Sequence, residues 1–541
     1  MSASNKKKLR KEQNAAVMTE RQQAALKEAK QTKMMTTAFV IGMVVILVIA
    51  ISVGISQQIT ASGMRERNTT ALTINGHELS NAELNYYYID GVNNFYSQNG
   101  QYAALFGLDT AAPLNEQVYD ASTGDTWADY FLETAKSTAT NVYTLNDAAK
   151  AEGFTLPEEY ANNADSIISN MSLYAGLYGY ADAEAYVKAM YGNGASLDSI
   201  RNYIEMSLIA EAYVNAHQEN LSFTEDDIRA ADAENEDKYS AFSYNYYYLA
   251  ASRFLEGGTT DEEGNTTYSD EEEAASVAAA EEAANTIVSS GFTSVEELDA
   301  AIAALPINAD STSAKSTTYT DNSYSSIDAD LVTWLADDAR QAGDTAVIPN
   351  LDSTNGDTLG YFVVYFNSVN DNAFALKNVR HILVSFQGGT TDSYGTTTYT
   401  DEEKAAAKTG AQEILDAWKA GDATEESFAA LATEKTDDTG SAANGGLYED
   451  IYPGQMVTAF EDWCYDSSRK TGDTGIVETN YGYHVMYFVG DSDISFRDYQ
   501  IKSDLTSAAQ EEWYSSIVNA AEVTVGETKY LNLGLVLGNA G

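Results

Sequence analysis

A chain of 541 residues with 44% hydrophobic content is long enough for three or four domains with real cores, and 5 prolines against 37 glycines exclude a collagen-like or proline-rich chain. The formal net charge of −50 would repel nucleic acid phosphates, which argues against nucleic acid as a partner. A single cysteine, Cys464, excludes an intrachain disulfide.

The charge is unevenly spread. Residues 1–33 carry nine Lys/Arg against three Asp/Glu. Residues 34–55 (MMTTAFVIGMVVILVIAISVGI) carry no charge. At about 1.5 Å per residue such a stretch crosses a hydrocarbon core roughly 30 Å thick. The basic stretch before it is longer than the start of a cleaved signal peptide, so a single uncleaved transmembrane helix is predicted. The positive-inside rule makes 1–33 a cytoplasmic tail and the acidic remainder extracytoplasmic, on a single-pass cell-membrane protein.

From Ala71 the chain reads ALTINGHELSNAELNYYYID. This predicts a short strand, a turn at Asn75-Gly76, and a helix capped near Ser80 with Glu83 completing a capping box. Residues 68–240 form a mainly helical domain, with helices such as 127–152 and 196–220. Tyrosine is frequent here (Tyr86, Tyr87, Tyr88, Tyr102, Tyr174, Tyr178, Tyr180). At helical spacing these rings are core, and any exposed ones suit a surface that holds unfolded chains. His77 and His217 have no partner at metal-ligand spacing and read as structural.

Two domain-sized repeats follow, 241–370 and 371–490. Residues 257–275 (GGTTDEEGNTTYSDEEEAA) match 388–406 (GGTTDSYGTTTYTDEEKAA) at fourteen of nineteen positions. Residues 334–345 match 463–474 at six of twelve, and the offsets, 131 and 129, describe a duplicated domain rather than a solenoid. Each copy reads strand, acidic loop, two helices, irregular loop, short helix, closing strand. In the second copy the expected elements are a strand at 378–386, helices at 401–420, 425–435 and 456–468, and a strand at 483–489. Strands bracketing helices predict a small α/β domain with a covered sheet. Residues 491–541 carry a helix near 500–520 and a strand near 522–525, and are expected to return to the helical domain. Of the two copies, only the second contains histidine, His381 and His484.

In that copy NVRHILVSF, FAALATEKTDDTGSAANGG, GQMVTAF and GDTGIVETNYGYHVMYF resemble, in order, the motifs of parvulin-type peptidyl-prolyl isomerases. The whole layout resembles PrsA-like exported foldases, and the double parvulin-like copy is similar to SurA-like chaperones. The resemblance implies that His381 and His484 are the paired histidines of the site. Asp438 falls where members carry Cys or Asp, and Thr479 where they hydrogen-bond the histidine pair. Leu447, Gln455, Met456, Phe460 and Tyr481 are then substrate-binding, with Met456 and Phe460 as the floor for the proline ring. No metal or cofactor is implied. One departure stands out: members usually have Gly-Asp-Leu-Gly followed by an aromatic, and this chain has Gly446-Leu447-Tyr448-Glu449-Asp450 after Gly445.

Aligning YYYLAAS with VRHILVS places Tyr248 at the position of His381, and aligning GYFVVYF with GYHVMYF places Phe362 at that of His484. Ile327 and Leu331 replace Met456 and Phe460, so the first copy is expected to be folded but inactive. The fold class is therefore α+β multidomain: one transmembrane helix, a mainly helical chaperone domain, and two tandem parvulin-like α/β domains, the first degenerate. The implied function is a membrane-anchored prolyl isomerase and chaperone acting on unfolded or newly exported chains with X–Pro bonds. The alternative is a chaperone whose two parvulin-like domains only hold clients. Assembly as a homodimer stays open.

Overall fold

The computed structural model describes residues 58–261, 264–392 and 395–537. The basic tail 1–33 and the apolar segment 34–55 lie outside the described residues. Among the described residues no helix is long and apolar enough to cross a membrane. The chain forms two compact units, one from the described residues up to Leu221 together with those from Ala509 onward, the other from Ser222 to Ala508.

The first unit opens with a hairpin of β1 (Thr70–Ile74) and β2 (His77–Ser80). Its turn residues Asn75 and Gly76 have φ of 50° and 84°, the left-handed pair that a two-residue hairpin favours. Ser80 then caps α1 (Asn81–Asn99), and the reciprocal bond from the Ser80 N–H to Glu83 completes the capping box. Helices α2 (Trp127–Ala151), α3 (Glu158–Leu177), α4 (Ala183–Tyr191) and α5 (Leu197–Asn220) follow. The strand Val523–Val525 pairs antiparallel with β1, so the end of the chain completes a three-stranded sheet. Leu72, Leu84, Tyr88, Trp127 and Phe131 fill the core between this sheet and the helices. The tyrosines divide: Tyr86, Tyr87 and Tyr88 are buried, whereas Tyr102, Tyr174, Tyr178 and Tyr180 are exposed. His77 lies 3.0 Å from Asp147, and His217 stacks on Trp513.

The second unit contains the same domain twice. The first copy runs β3 (Ala241–Ala250), α6 (Asp270–Ser289), α7 (Val295–Ala303), β4 (Thr317–Ser323), α8 (Ala329–Leu335), β5 (Thr345–Leu351) and β6 (Thr358–Asn370). The second runs β7 (Ala375–Ser385), α9 (Asp401–Ala420), α10 (Glu425–Lys435), α11 (Thr439–Ala442), β8 (Leu447–Ile451), α12 (Thr458–Tyr465), β9 (Thr474–Glu478) and β10 (Gly482–Ser495). Strand orders are β4-β3-β6-β5 and β8-β7-β10-β9. Every pairing in both sheets is antiparallel, so each copy is α+β rather than the expected α/β. The short 479–481 turn between β9 and β10 permits only antiparallel neighbours. In the second copy α9 and α10 cover one sheet face through Ile382, Phe428 and Val485, and α12 covers the other through Val379, Phe460 and Met486.

The most similar stretch of the two copies has a structural cause. Glu272 and Glu403 sit at the third position of α6 and α9 and close capping boxes with Ser269 and Thr400. The same carboxylates accept from the Gly258 and Gly389 N–H groups at 3.0 and 2.9 Å. Both glycines have left-handed φ, 78° and 81°, so the Gly-Gly and the Glu are required together.

Candidate active site

Strand alternation places His381 of β7 on the sheet face covered by α12, between Val379 on that face and Ile382 on the other. In the β7–β10 register His381 is opposite Met486 and His484 is opposite Leu383, so the two histidines are diagonal neighbours. Their Nδ1 atoms lie 3.0 Å apart. On the far side of each ring the chain of contacts continues. His381 Nε2 is 2.9 Å from Asp438 Oδ2, and His484 Nε2 is 2.9 Å from Thr479 Oγ1. Asp438 is held by the start of α11, where its Oδ1 accepts from the Gly440 N–H at 3.1 Å.

With both imidazoles neutral, these four residues admit one consistent arrangement of protons. A carboxylate only accepts, so His381 donates from Nε2 and its Nδ1 is the acceptor. His484 therefore donates from Nδ1, and its Nε2 accepts from the Thr479 hydroxyl. Thr479 Oγ1 in turn accepts from the Tyr481 N–H at 3.2 Å. Both histidines are neutral in this arrangement. Burial is the main reason: it lowers His381 against the pull of Asp438, and it lowers His484 to about 4 with the help of His381. Burial raises Asp438, but hydrogen bonds from Ser441 and Tyr448, together with His381, outweigh it and hold the carboxyl below its ordinary value.

Ser441 and Tyr448 are the two members of the cluster that the sequence did not point to. The Ser441 hydroxyl donates to Asp438 Oδ2 and lies 3.2 Å from His381 Nε2. The Tyr448 hydroxyl donates to the same oxygen at 2.9 Å, and its ring stacks on His381 at 4.9 Å between centroids. Burial and Asp438 push the Tyr448 hydroxyl up to about 12, so it remains a donor. A signal for Tyr448 was present, since it stands where the resembling family has glycine.

Beside this polar chain lies an apolar wall. Phe460 of α12 is 2% exposed and meets both imidazoles edge-on, at 5.5 and 5.3 Å. Half-buried Met456 packs in the same cluster. Leu447 is half-buried on β8, paired with Arg380. Tyr481 is 59% exposed, and only its backbone is tied to Thr479. The side chain of Gln455 is exposed and turned to its own loop, accepting from the Tyr452 N–H at 3.2 Å. Cys464 is buried beneath Phe460 in the same cluster, and burial pushes its thiol up to about 12. It is a packing residue, like its counterpart Leu335, which is also buried.

In the first copy the register corrects the alignment. Tyr365 pairs with Asn245 and Gly360 with Ala250, as Tyr487 pairs with Arg380 and Gly482 with Ser385. Tyr246, not Tyr248, therefore occupies the place of His381, and Phe362 that of His484. Consecutive tyrosines allow a two-residue slip that keeps every side chain on its face, which the sequence alone does not resolve. Tyr246 and Phe362 meet edge to face at 5.7 Å, and Ala309 stands where the offset of 129 would place Asp438. Tyr319 pairs with Tyr244 as Tyr448 pairs with Val379, so that tyrosine is retained without a carboxylate to hold.

A four-stranded antiparallel sheet carrying a histidine pair, an acid and an apolar floor defines a parvulin-type domain. Residues 366–490 match the PPIC-type PPIASE domain family, and this segment is a peptidyl-prolyl isomerase domain of that type. Foldase protein PrsA 1 of Listeria innocua serovar 6a is 32% identical over 111 residues, which cover 19% of this chain and 38% of that protein. Chaperone SurA of Chromohalobacter salexigens is 38% identical over 114 residues, covering 20% of this chain and 21% of that one. The crystal structure of PrsA from Bacillus anthracis shares 20% identity over 28% of this chain and 59% of that one, with a TM-score of 0.18. The chain thus spans well under half the length of these two curated relatives.

Proposed function

We propose that the protein is an extracytoplasmic prolyl isomerase and chaperone for exported chains, anchored to the membrane by residues 34–55. The observation that carries this reading is the unbroken chain Thr479–His484–His381–Asp438 beside Phe460. Rotation about an X–Pro bond faces a barrier of about 18–20 kcal/mol and needs no bond to be made or broken. A site accelerates it by holding the proline and favouring the twisted amide over both planar forms. Half-buried Met456 supplies the apolar grip, in a cluster with the fully packed Phe460 ring. The neutral histidine pair holds Asp438 at the edge of the slot as a fixed carboxylate. The first copy keeps the sheet and an apolar wall but has no imidazole and no carboxylate at the position aligned with Asp438, and is read as a peptide-holding module. Supporting this reading are the domain match and the foldase and chaperone relatives. Isomerisation of a short X–Pro peptide by the purified protein, repeated with His381→Ala and Asp438→Ala, tests it: both variants should lose most of the activity. Light scattering from a denatured client tests the chaperone part, and sedimentation tests a homodimer.

A further inference from the structure

The helical unit holds a cavity of about 440 Å³ lined by residues of α1, α2 and α5, within the roughly 300–1,000 Å³ typical of ligand sites. Five of its lining residues are aromatic, Tyr87, Phe95, Tyr130, Phe131 and Tyr203, and Asp90 of α1 lines it with them. The Tyr191 hydroxyl donates to Asp90 Oδ1 at 2.9 Å and the Tyr203 hydroxyl to Oδ2 at 2.8 Å. A carboxylate offers about four lone-pair positions, so roughly two stay open. Among the described residues no lysine, arginine or histidine forms an ion pair with Asp90. Burial pushes its carboxyl up, and only the two neutral hydroxyls oppose this. A desolvated carboxylate held by neutral donors lacks a counter-charge, and the aromatic walls around it are themselves attractive to cations.

We propose that this cavity seats a lysine or arginine side chain of an extended polypeptide, its cation against Asp90 and among the aromatic rings. The rim favours a polypeptide over a free cation. Exposed Asn94, Gln98 and Thr134 border the cavity. Gln98 Nε2 donates to Asn94 Oδ1 at 3.0 Å, which leaves the Asn94 amide N–H and the Gln98 carbonyl for a passing main chain. A basic residue of an unfolded client would thus be anchored by charge while its backbone is held at the rim. This site is read out by binding alone, so its test is separate from that of isomerase activity.

The full chain in detergent is titrated into a labelled Gly/Ser peptide with one central lysine, and into the same peptide with norleucine. At ~0.15 M salt, fields of distant surface charges are screened beyond about 8 Å. The lysine peptide should bind at least about tenfold more tightly, as a desolvated charge pair implies. Asp90→Asn and Thr134→Trp should each bring the two peptides to parity. The second variant fills the cavity from an exposed position and leaves the Asp90–tyrosine cluster intact. Spermidine should displace the peptide only weakly. Equal binding of the two peptides, a lysine preference kept by either variant, or displacement by spermidine as strong as by unlabelled peptide would overturn the assignment.

Discussion

At the scale of single residues, the site depends on which atoms carry protons. Asp438 receives hydrogen bonds from His381, Ser441 and Tyr448 on one oxygen. Tyr448→Phe removes one donor and keeps the ring on His381. Asp438 should then titrate nearer its ordinary value, and the acid limb of the isomerase pH profile should move to higher pH. The other groups facing Asp438 are His381, Ser441 and, through His381, His484, all unchanged in that variant. An unmoved acid limb would show that the Tyr448 hydroxyl does not act on the carboxyl. His484 gives a stability prediction. Its folded value is about 4 against an ordinary 6.5. Above pH 6.5 it is neutral both folded and unfolded. As pH falls below 6.5 the unfolded chain takes up a proton that the buried ring refuses, so stability declines until about pH 4. The decline attributable to His484 is on the order of 3 kcal/mol. Hydrogen exchange of the β7 and β10 amides across that window measures it, and flat protection would contradict it. The sequence made four of these residues legible, because two histidines, an acid and a threonine occur at motif positions in a histidine-poor chain. Ser441 and Tyr448 were harder to see because their role comes from where α11 and β8 meet Asp438. Gln455 matched a motif, yet its side chain serves its own turn.

Elements were legible wherever local chemistry and periodicity agreed. The helix start placed at Ser80 from its capping box, and the helices expected at 401–420 and 425–435, coincide with α1, α9 and α10. Sheet direction was not legible, because strand–helix alternation is shared by parallel and antiparallel designs. The register of the first copy was also hidden, since Tyr246, Tyr247 and Tyr248 are the same residue type. The repeated Gly-Gly/Glu bracket carries its own prediction. Glu403→Ala removes a cap partner and strands the Gly389 N–H, and should destabilise α9 by about 1 kcal/mol, the ordinary value of a cap. Chemical denaturation followed by tryptophan fluorescence measures it; an unchanged midpoint would make the repeated stretch dispensable. Phe460→Ala removes a fully packed ring from α12 and should cost about 3–5 kcal/mol, a loss seen in the same denaturation curve.

At the scale of the whole molecule, one domain occurs twice with divided composition. Both copies keep the sheet order and the helix caps, and they differ where His381, His484 and Asp438 stand. The capped Gly-Gly/Glu brackets are most alike; the positions most unlike are those to which the proposed function assigns the chemistry. The returning C-terminal strand ties the end of the chain to its first sheet. The most direct measurement is the rate of X–Pro isomerisation by the intact protein beside His381→Ala. A rate for the intact protein at least about a hundredfold above that of the variant, on the order of the contribution expected of a positioned catalytic group, is predicted. Equal rates would contradict the isomerase reading and leave both copies as peptide-holding modules.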